Sequence, residues 1–155
     1  PGKRRMLMGL CIGICLAFPI ILLSIFYFDP IYMENLREVG GEDMVRTYYP
    51  GSGKEILAII LWVMSFEVML FQVGTMSFAA RVFGSRWVSV VLAVLFSVYI
   101  EHSHVLMLGL GGGISIVAAC SSFIAGLLGY LLFVQFGLPG TAVFMGLLSA
   151  RLFFL

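Results

Sequence analysis

Charge is scarce in this sequence. Only 11% of the 155 residues are Asp, Glu, Lys or Arg, whereas 61% are hydrophobic. Soluble domains carry about 25% charged residues, so a chain this apolar could not cover a water-soluble fold with polar groups. The composition therefore predicts an integral membrane protein surrounded by the lipid bilayer. A stripe of basic residues interleaved with aromatic ones is also missing, which argues against nucleic acid as a partner.

Long apolar runs divide the chain into membrane spans. A helix that crosses the hydrocarbon layer needs about 20 apolar residues. Such runs cover residues 6–28, 56–82, 87–108 and 114–136, and a fifth begins at residue 141 and continues to the last residue. They predict an all-α fold, a polytopic transmembrane helical bundle of about five spans.

The predicted organisation has three parts. Residues 1–28 form an N-terminal anchor helix, residues 29–55 an extracytoplasmic polar loop, and residues 56–155 a four-helix membrane core. The chain begins at Pro1 without an initiator Met and ends inside an apolar run. We therefore expect a trimmed chain whose core is cut short at its C-terminus.

Basic residues orient the bundle. They cluster before the first run and between the second and third runs, which places them on one side of the membrane. By the positive-inside rule that side is the cytoplasm, and the N-terminus lies there. The basic residues are Lys3, Arg4, Arg5, Arg81 and Arg86.

The polar segment 29–55 lies on the other side of the membrane. It carries six of the eight acidic residues of the chain. Proline and glycine recur along it, including Pro30, the Gly40–Gly41 pair and Pro50. These residues interrupt regular structure, so we expect a loop with at most a short interfacial helix at residues 31–38.

One acidic residue lies inside a span. Glu67 stands in the middle of the second run, which contains no basic residue between positions 56 and 80. A carboxylate at bilayer depth costs about 2.5–3.5 kcal/mol even on lenient insertion scales, so a functional role is expected. Arg151 in the fifth run is an internal partner for Glu67 or Glu101, or it extends towards the membrane surface.

Two histidines end the third run. His102 and His104 are two residues apart, so on a helix they point about 200° away from each other and do not form a paired metal site. Either imidazole could bind a single haem or chlorin. The alternative is a polar cluster where the third span meets the outer interface. Cys11, Cys15 and Cys120 have no further ligand pair beside them and are expected to pack inside the bundle.

The second span carries a family resemblance. From Glu67 to Trp87 the sequence reads EVMLFQVGTMSFAARVFGSRW. This resembles the first core helix of the CAAX-protease and bacteriocin-processing (CPBP, or Abi) family of intramembrane glutamic proteases. That helix opens with Glu-Glu, two apolar residues, Phe and Arg, and it ends in an Arg-Phe-Gly-type turn and a Trp. Phe96 and the turn at residues 137–140 match later elements of the family. The resemblance covers residues 56–155 and implies a CPBP-like membrane core.

Most catalytic positions of that family are replaced in this chain. Glu67 matches the first Glu, but Val68 stands at the second Glu and Gln72 at the Arg. The family also has a His four residues after the Phe of its second element, and a His and an Asn in its last element. The residues at or near these three positions are Ile100, Gly146 and Ala150.

These replacements bear on function. Peptide hydrolysis needs a general base and an oxyanion stabiliser held together, and Glu67 with Gln72 supplies neither. The resemblance therefore implies a catalytically inactive relative in a bacterial inner membrane. It would act as a structural or assembly subunit of a larger membrane complex. Two alternatives stay open, a divergent protease using Glu67 with His102 or His104, and a haem- or chlorin-binding subunit using His102 or His104.

Overall fold

The computed structural model describes residues 2–155, apart from the side chains of residues 67, 71 and 72. Over this part of the chain the structure is helical, without strands. Four helices are long and apolar enough to cross a membrane, and a shorter apolar helix follows them. The fold is therefore an all-α bundle of an integral membrane protein, as the apolar runs predict. The four are Lys3–Tyr48, Gly53–Phe83, Arg86–Met107 and Gly112–Phe136, and the fifth is Leu138–Phe154.

The first helical rod is longer than predicted. It consists of α1 (Lys3–Leu23), a π-helical segment (Ser24–Phe28) and α2 (Asp29–Tyr48). The prediction of a polar loop at residues 29–55 is therefore wrong, because most of that segment is helical. The irregular chain is confined to the short link between Tyr48 and Gly53.

Tertiary contacts explain why α2 is a helix. Pro30 lies in its first turn, where the missing N–H of proline breaks no helical hydrogen bond. Leu36 is fully buried, and with Val45 it packs on Val105 and other residues at the end of the bundle where α5 meets α6. The glycine pair interrupts the helix at one point only, since Gly41 adopts φ +69°. Burial of one apolar face therefore outweighs the polar composition of the segment.

The second rod contains an irregularity that the sequence did not indicate. It consists of α3 (Gly53–Trp62), a π-helical segment (Val63–Gly74) and α4 (Thr75–Phe83). The Ser52 side chain caps its start by accepting a hydrogen bond from the backbone N–H of Glu55, at 3.3 Å. π-Helical turns are rare in proteins, and those that occur often lie at functional sites.

Two more long helices follow the second rod. They are α5 (Arg86–Met107) and α6 (Gly112–Phe136), which pack against each other. Gly84 ends the preceding helix in the left-handed region at φ +66°, and the Ser85 side chain faces the Val88 N–H at the start of α5. The short link predicted at residues 83–86 is confirmed.

The last helix, α7 (Leu138–Ala150), is followed by a 3₁₀ turn, Arg151–Phe154. The turn predicted at residues 137–140 is shorter than expected, because Gly137 alone leaves the helical conformation. Pro139 falls in the first turn of α7, where it is compatible with a helix.

Glycines bring α1 and α7 to backbone contact. A Cβ atom added at Gly13 would lie 2.8 Å from the carbonyl oxygen of Gly140. One added at Gly140 would lie 2.9 Å from the carbonyl oxygen of Gly9. Gly9 and Gly13 are four residues apart, the spacing that lets membrane helices approach closely. This contact fixes the first and last helices side by side.

The cysteines lie on the outside of the bundle. Cys11, Cys15 and Cys120 are all exposed, so the expectation that they pack inside is wrong. Because lipid is as apolar as a protein interior, a thiol on a span gains little by facing inward.

Candidate functional site: a polar chamber at one end of the bundle

A cavity of about 550 Å³ is lined by residues of the rod Lys3–Tyr48, the second rod, α5, α6 and the end of α7. Its size falls within the usual range of small-molecule sites, about 300–1,000 Å³. We call it the polar chamber. Its ionisable and aromatic lining residues are Phe28, Asp29, Tyr32, Tyr48, Tyr49, Trp62, Glu101, His104 and Arg151, and its hydroxyl-bearing ones include Ser24, Thr47, Ser121 and Ser149.

An ion pair in this chamber joins the start of α2 to the 3₁₀ turn that follows α7. Arg151 donates from Nε to Asp29 Oδ2 at 3.0 Å and from Nη2 to Asp29 Oδ1 at 3.3 Å. The other terminal nitrogen, Nη1, donates to the carbonyl oxygen of Leu148 at 2.8 Å. Asp29 is only 2% exposed, so the guanidinium supplies the counter-charge that a buried carboxylate requires.

Tyr49 completes the shell of Asp29. Its hydroxyl donates to Asp29 Oδ1 at 2.9 Å. Burial of the ring and the nearby Asp29 carboxylate raise the pKa of the Tyr49 phenol above its ordinary value. The phenol is therefore a neutral hydrogen-bond donor at physiological pH. Two nitrogens of Arg151 and the hydroxyl of Tyr49 donate to the two oxygens of Asp29. Because its oxygens already accept three hydrogen bonds, Asp29 is a poor base.

Two further ionisable groups face the chamber from α5. The Nε2 atom of His104 lies 3.4 Å from the Tyr48 hydroxyl, and their ring centroids are 5.9 Å apart. Glu101 lies one turn earlier on the same helix and lines the same space. Within the part of the chain whose side chains are described, its carboxyl group makes neither a hydrogen bond nor an ion pair.

His102 has a different environment from His104. Its Nδ1 atom hydrogen-bonds the hydroxyl of Ser115 on α6, and Nε2 has no partner among the described side chains. His102 also lines a groove of about 610 Å³ on the outer surface of α5 and α6. We call it the His102 groove; its other lining residues are Leu95, Val98, Tyr99, Ile116, Ala119, Cys120, Phe123 and Ile124.

The predicted site residues are only partly brought together. His102 and His104 contact different helices, as their two-residue spacing predicts. The side chains of Glu67 and Gln72 lie outside the described residues, so their predicted role stays a prediction. Arg151 is an internal partner of an acid, as expected, but among the described side chains the acid to which it hydrogen-bonds is Asp29 and not Glu101. A pairing of Arg151 with Glu67 stays a prediction.

Sequence reasoning missed Asp29 and Tyr49 because it placed both in a solvated loop. A signal was available. Asp29 follows directly on the apolar run and precedes Pro30, a pattern typical of a helix that starts or continues with an acid in its first turn. Its partner, 122 residues further along the chain, could not be identified from local pattern.

No metal cluster is present among the described side chains, since no three His, Cys, Asp or Glu residues there lie close enough to share an ion. Comparisons of this chain with protein-family models, with curated proteins and with solved structures gave no match.

Proposed function

We propose that this protein is a catalytically inactive, CPBP-like membrane protein that acts by binding, and that the polar chamber is its ligand site. The observation that carries the proposal is the coordination of Asp29. Its oxygens accept from Arg151 and Tyr49, and a carboxylate held in this way cannot activate water efficiently. The Asp29–Arg151 ion pair therefore holds its two charges in fixed positions, and its carboxylate is not suited to proton transfer.

The rest of the chamber suits a small molecule. Ligand sites combine apolar and aromatic walls with a few well-placed polar groups. Phe28, Trp62 and the three tyrosines provide the walls, and Glu101 provides a polar group that makes no hydrogen bond or ion pair among the described side chains. Tyr32 likewise has a hydroxyl without a hydrogen bond to any described residue.

The surroundings of the protein are part of the proposal. We infer that it lies in a bacterial inner membrane with its N-terminus in the cytoplasm, which places the polar chamber at the extracytoplasmic end. Large apolar side chains such as Phe26, Phe78 and Trp87 are exposed on the bundle. They suit lipid and also suit the flanks of neighbouring membrane proteins, so a role as a subunit of a larger complex is compatible with ligand binding.

Filling the chamber tests the ligand site. Ser121 lines it, whereas the neighbouring Cys120 faces the opposite groove. We expect Ser121→Phe to abolish the thermal stabilisation that a ligand gives the detergent-purified protein, and Cys120→Phe to retain it. A probe present at about 100 times its Kd stabilises the folded state by about 2.7 kcal/mol. The probes are choline, glycine betaine, glucose, acetate and inorganic phosphate, each read as a shift of the unfolding midpoint.

Two outcomes would overturn the proposal. One is a wild-type protein whose midpoint no probe shifts. The other is cleavage of a peptide library, followed by mass spectrometry, that is lost in Glu67→Gln; such a result would establish the divergent protease instead.

The His102 groove favours a second candidate function, the binding of a metal tetrapyrrole. Ser115 holds Nδ1 and leaves Nε2 for a metal, and hydrogen bonds of this kind orient metal-binding imidazoles. The walls are apolar and aromatic, including Leu95, Tyr99 and Phe123. His104 is less suitable, because its Nε2 faces the Tyr48 hydroxyl. A haem or chlorin held there would supply redox or light-absorbing chemistry.

The two histidines give this candidate a matched test. On titration with haemin in mild detergent, we expect the Soret band to shift on binding to wild type and to His104→Ala, and not with His102→Ala. Ser115→Ala should weaken binding about tenfold, because it frees the imidazole that Ser115 orients. Equal binding by His102→Ala and wild type would contradict the assignment.

A further inference from the structure

The charges of the polar chamber do not balance. Asp29 and Glu101 are acidic and Arg151 is basic, so with the His104 imidazole neutral two negative groups face one positive group. Arg151 is paired with Asp29, to which two of its nitrogens donate, while a third donates to a backbone carbonyl. Glu101 interacts with Arg151 and His104 only through space, and it makes no ion pair among the described side chains.

Glu101 also lacks a hydrogen-bond donor among the described side chains. Three hydroxyls of the chamber are engaged elsewhere. Ser121 donates to the carbonyl oxygen of Ala118, Ser149 to that of Met145, and Thr47 to that of Asp43. A partly buried carboxyl group without a hydrogen-bond donor is costly, so a ligand that supplies a donor or a cation stabilises it.

Aromatic rings line the same chamber as this carboxyl group. Phe28, Tyr32, Tyr48, Tyr49 and Trp62 all line the same chamber. The faces of aromatic rings attract cations, and sites built from several rings are the usual recognition device for quaternary ammonium groups. Anions gain nothing from these rings and are repelled by Glu101.

We infer that the ligand of the polar chamber is a small organic monocation, an amine or a quaternary ammonium compound, with Glu101 as its counter-ion and the aromatic rings as its walls. This inference rests on the proposed function, since it identifies the chemical class of the ligand for the same chamber. A single positive charge matches the one chamber carboxyl group that makes no ion pair among the described side chains, and the cavity volume of about 550 Å³ accommodates a molecule of that kind.

The test compares a cation with its uncharged counterpart. Choline and 3,3-dimethyl-1-butanol have nearly the same shape and differ in charge. We expect isothermal titration of the intact purified chain to show binding of choline and of tetramethylammonium, and much weaker binding of the alcohol. Glu101→Gln keeps the size of the side chain and removes its charge, and it should raise the Kd for choline about tenfold or more.

The matched control is Glu34→Gln, because Glu34 is exposed on α2 and does not line the chamber. It should leave the Kd for choline unchanged. Sodium chloride at equal ionic strength controls for general salt effects.

The outcomes separate this inference from the proposed function. If phosphate or acetate binds, choline does not, and Ser121→Phe abolishes the binding, the chamber is a ligand site but the cation is wrong. If the alcohol binds as well as choline, or Glu101→Gln leaves the Kd for choline unchanged, charge plays no part and the inference fails. If no probe binds, the proposed function fails with it.

Discussion

Replacing Arg151 with Met lowers the free energy of unfolding by about 3–5 kcal/mol, the usual cost of removing one partner of a buried ion pair. The large effect arises because Asp29 is 2% exposed and would be left without its cation. Tyr49 would remain as a donor, but a neutral hydroxyl does not replace a charge. The measurement is unfolding of the purified protein in mixed detergent micelles, followed by circular dichroism.

An exposed ion pair provides the matched control. Arg37 and Glu42 form a salt bridge with side-chain exposures of 55% and 62%, and such pairs contribute about 0–1 kcal/mol. Arg37→Met should therefore change stability very little. The double variant Asp29→Asn/Arg151→Met should recover part of the loss, because it removes the orphaned charge. Equal losses for Arg151→Met and Arg37→Met would show that Asp29 is not buried as the structure has it.

Replacing Gly140 with Ala forces α1 and α7 apart and costs about 1–3 kcal/mol, the range for an overpacked interior. The added Cβ would lie 2.9 Å from the carbonyl oxygen and 3.0 Å from the carbonyl carbon of Gly9. Both are backbone atoms, so no flexible side chain can move to relieve the contact. The same unfolding assay measures the loss.

Gly112 is the control for this change. It begins α6, and a Cβ atom added there meets no atom within 4 Å. Gly112→Ala should therefore be neutral or slightly stabilising, since Ala favours a helix over Gly by up to about 1 kcal/mol. A neutral result for Gly140→Ala would mean that the two helices are not in backbone contact.

Sequence alone predicted the features that depend on local composition. Apolar runs gave the spans to within a few residues, and the spacing of His102 and His104 placed them towards different neighbours. These properties depend on hydropathy and on helical geometry, which each segment carries by itself.

Features that depend on distant segments were not predictable. The helix α2 forms because Leu36 and Val45 bury against the end of α5 and the start of α6, which its own polar composition does not reveal. The pairing of Asp29 with Arg151 and the contact of Gly13 with Gly140 likewise need the first and last helices side by side. Glu67 was identified from the cost of burying a carboxylate, and its role stays a prediction.

The position of the Asp29–Arg151 pair has a consequence for biosynthesis. The two residues are separated by 122 positions, which at a synthesis rate of about 5–20 residues per second corresponds to roughly 6–24 s. During that interval Asp29 has been made and its cation has not. The polar chamber therefore closes only after the segment that carries Arg151 has been synthesised, so ligand binding reports on the arrival of that segment.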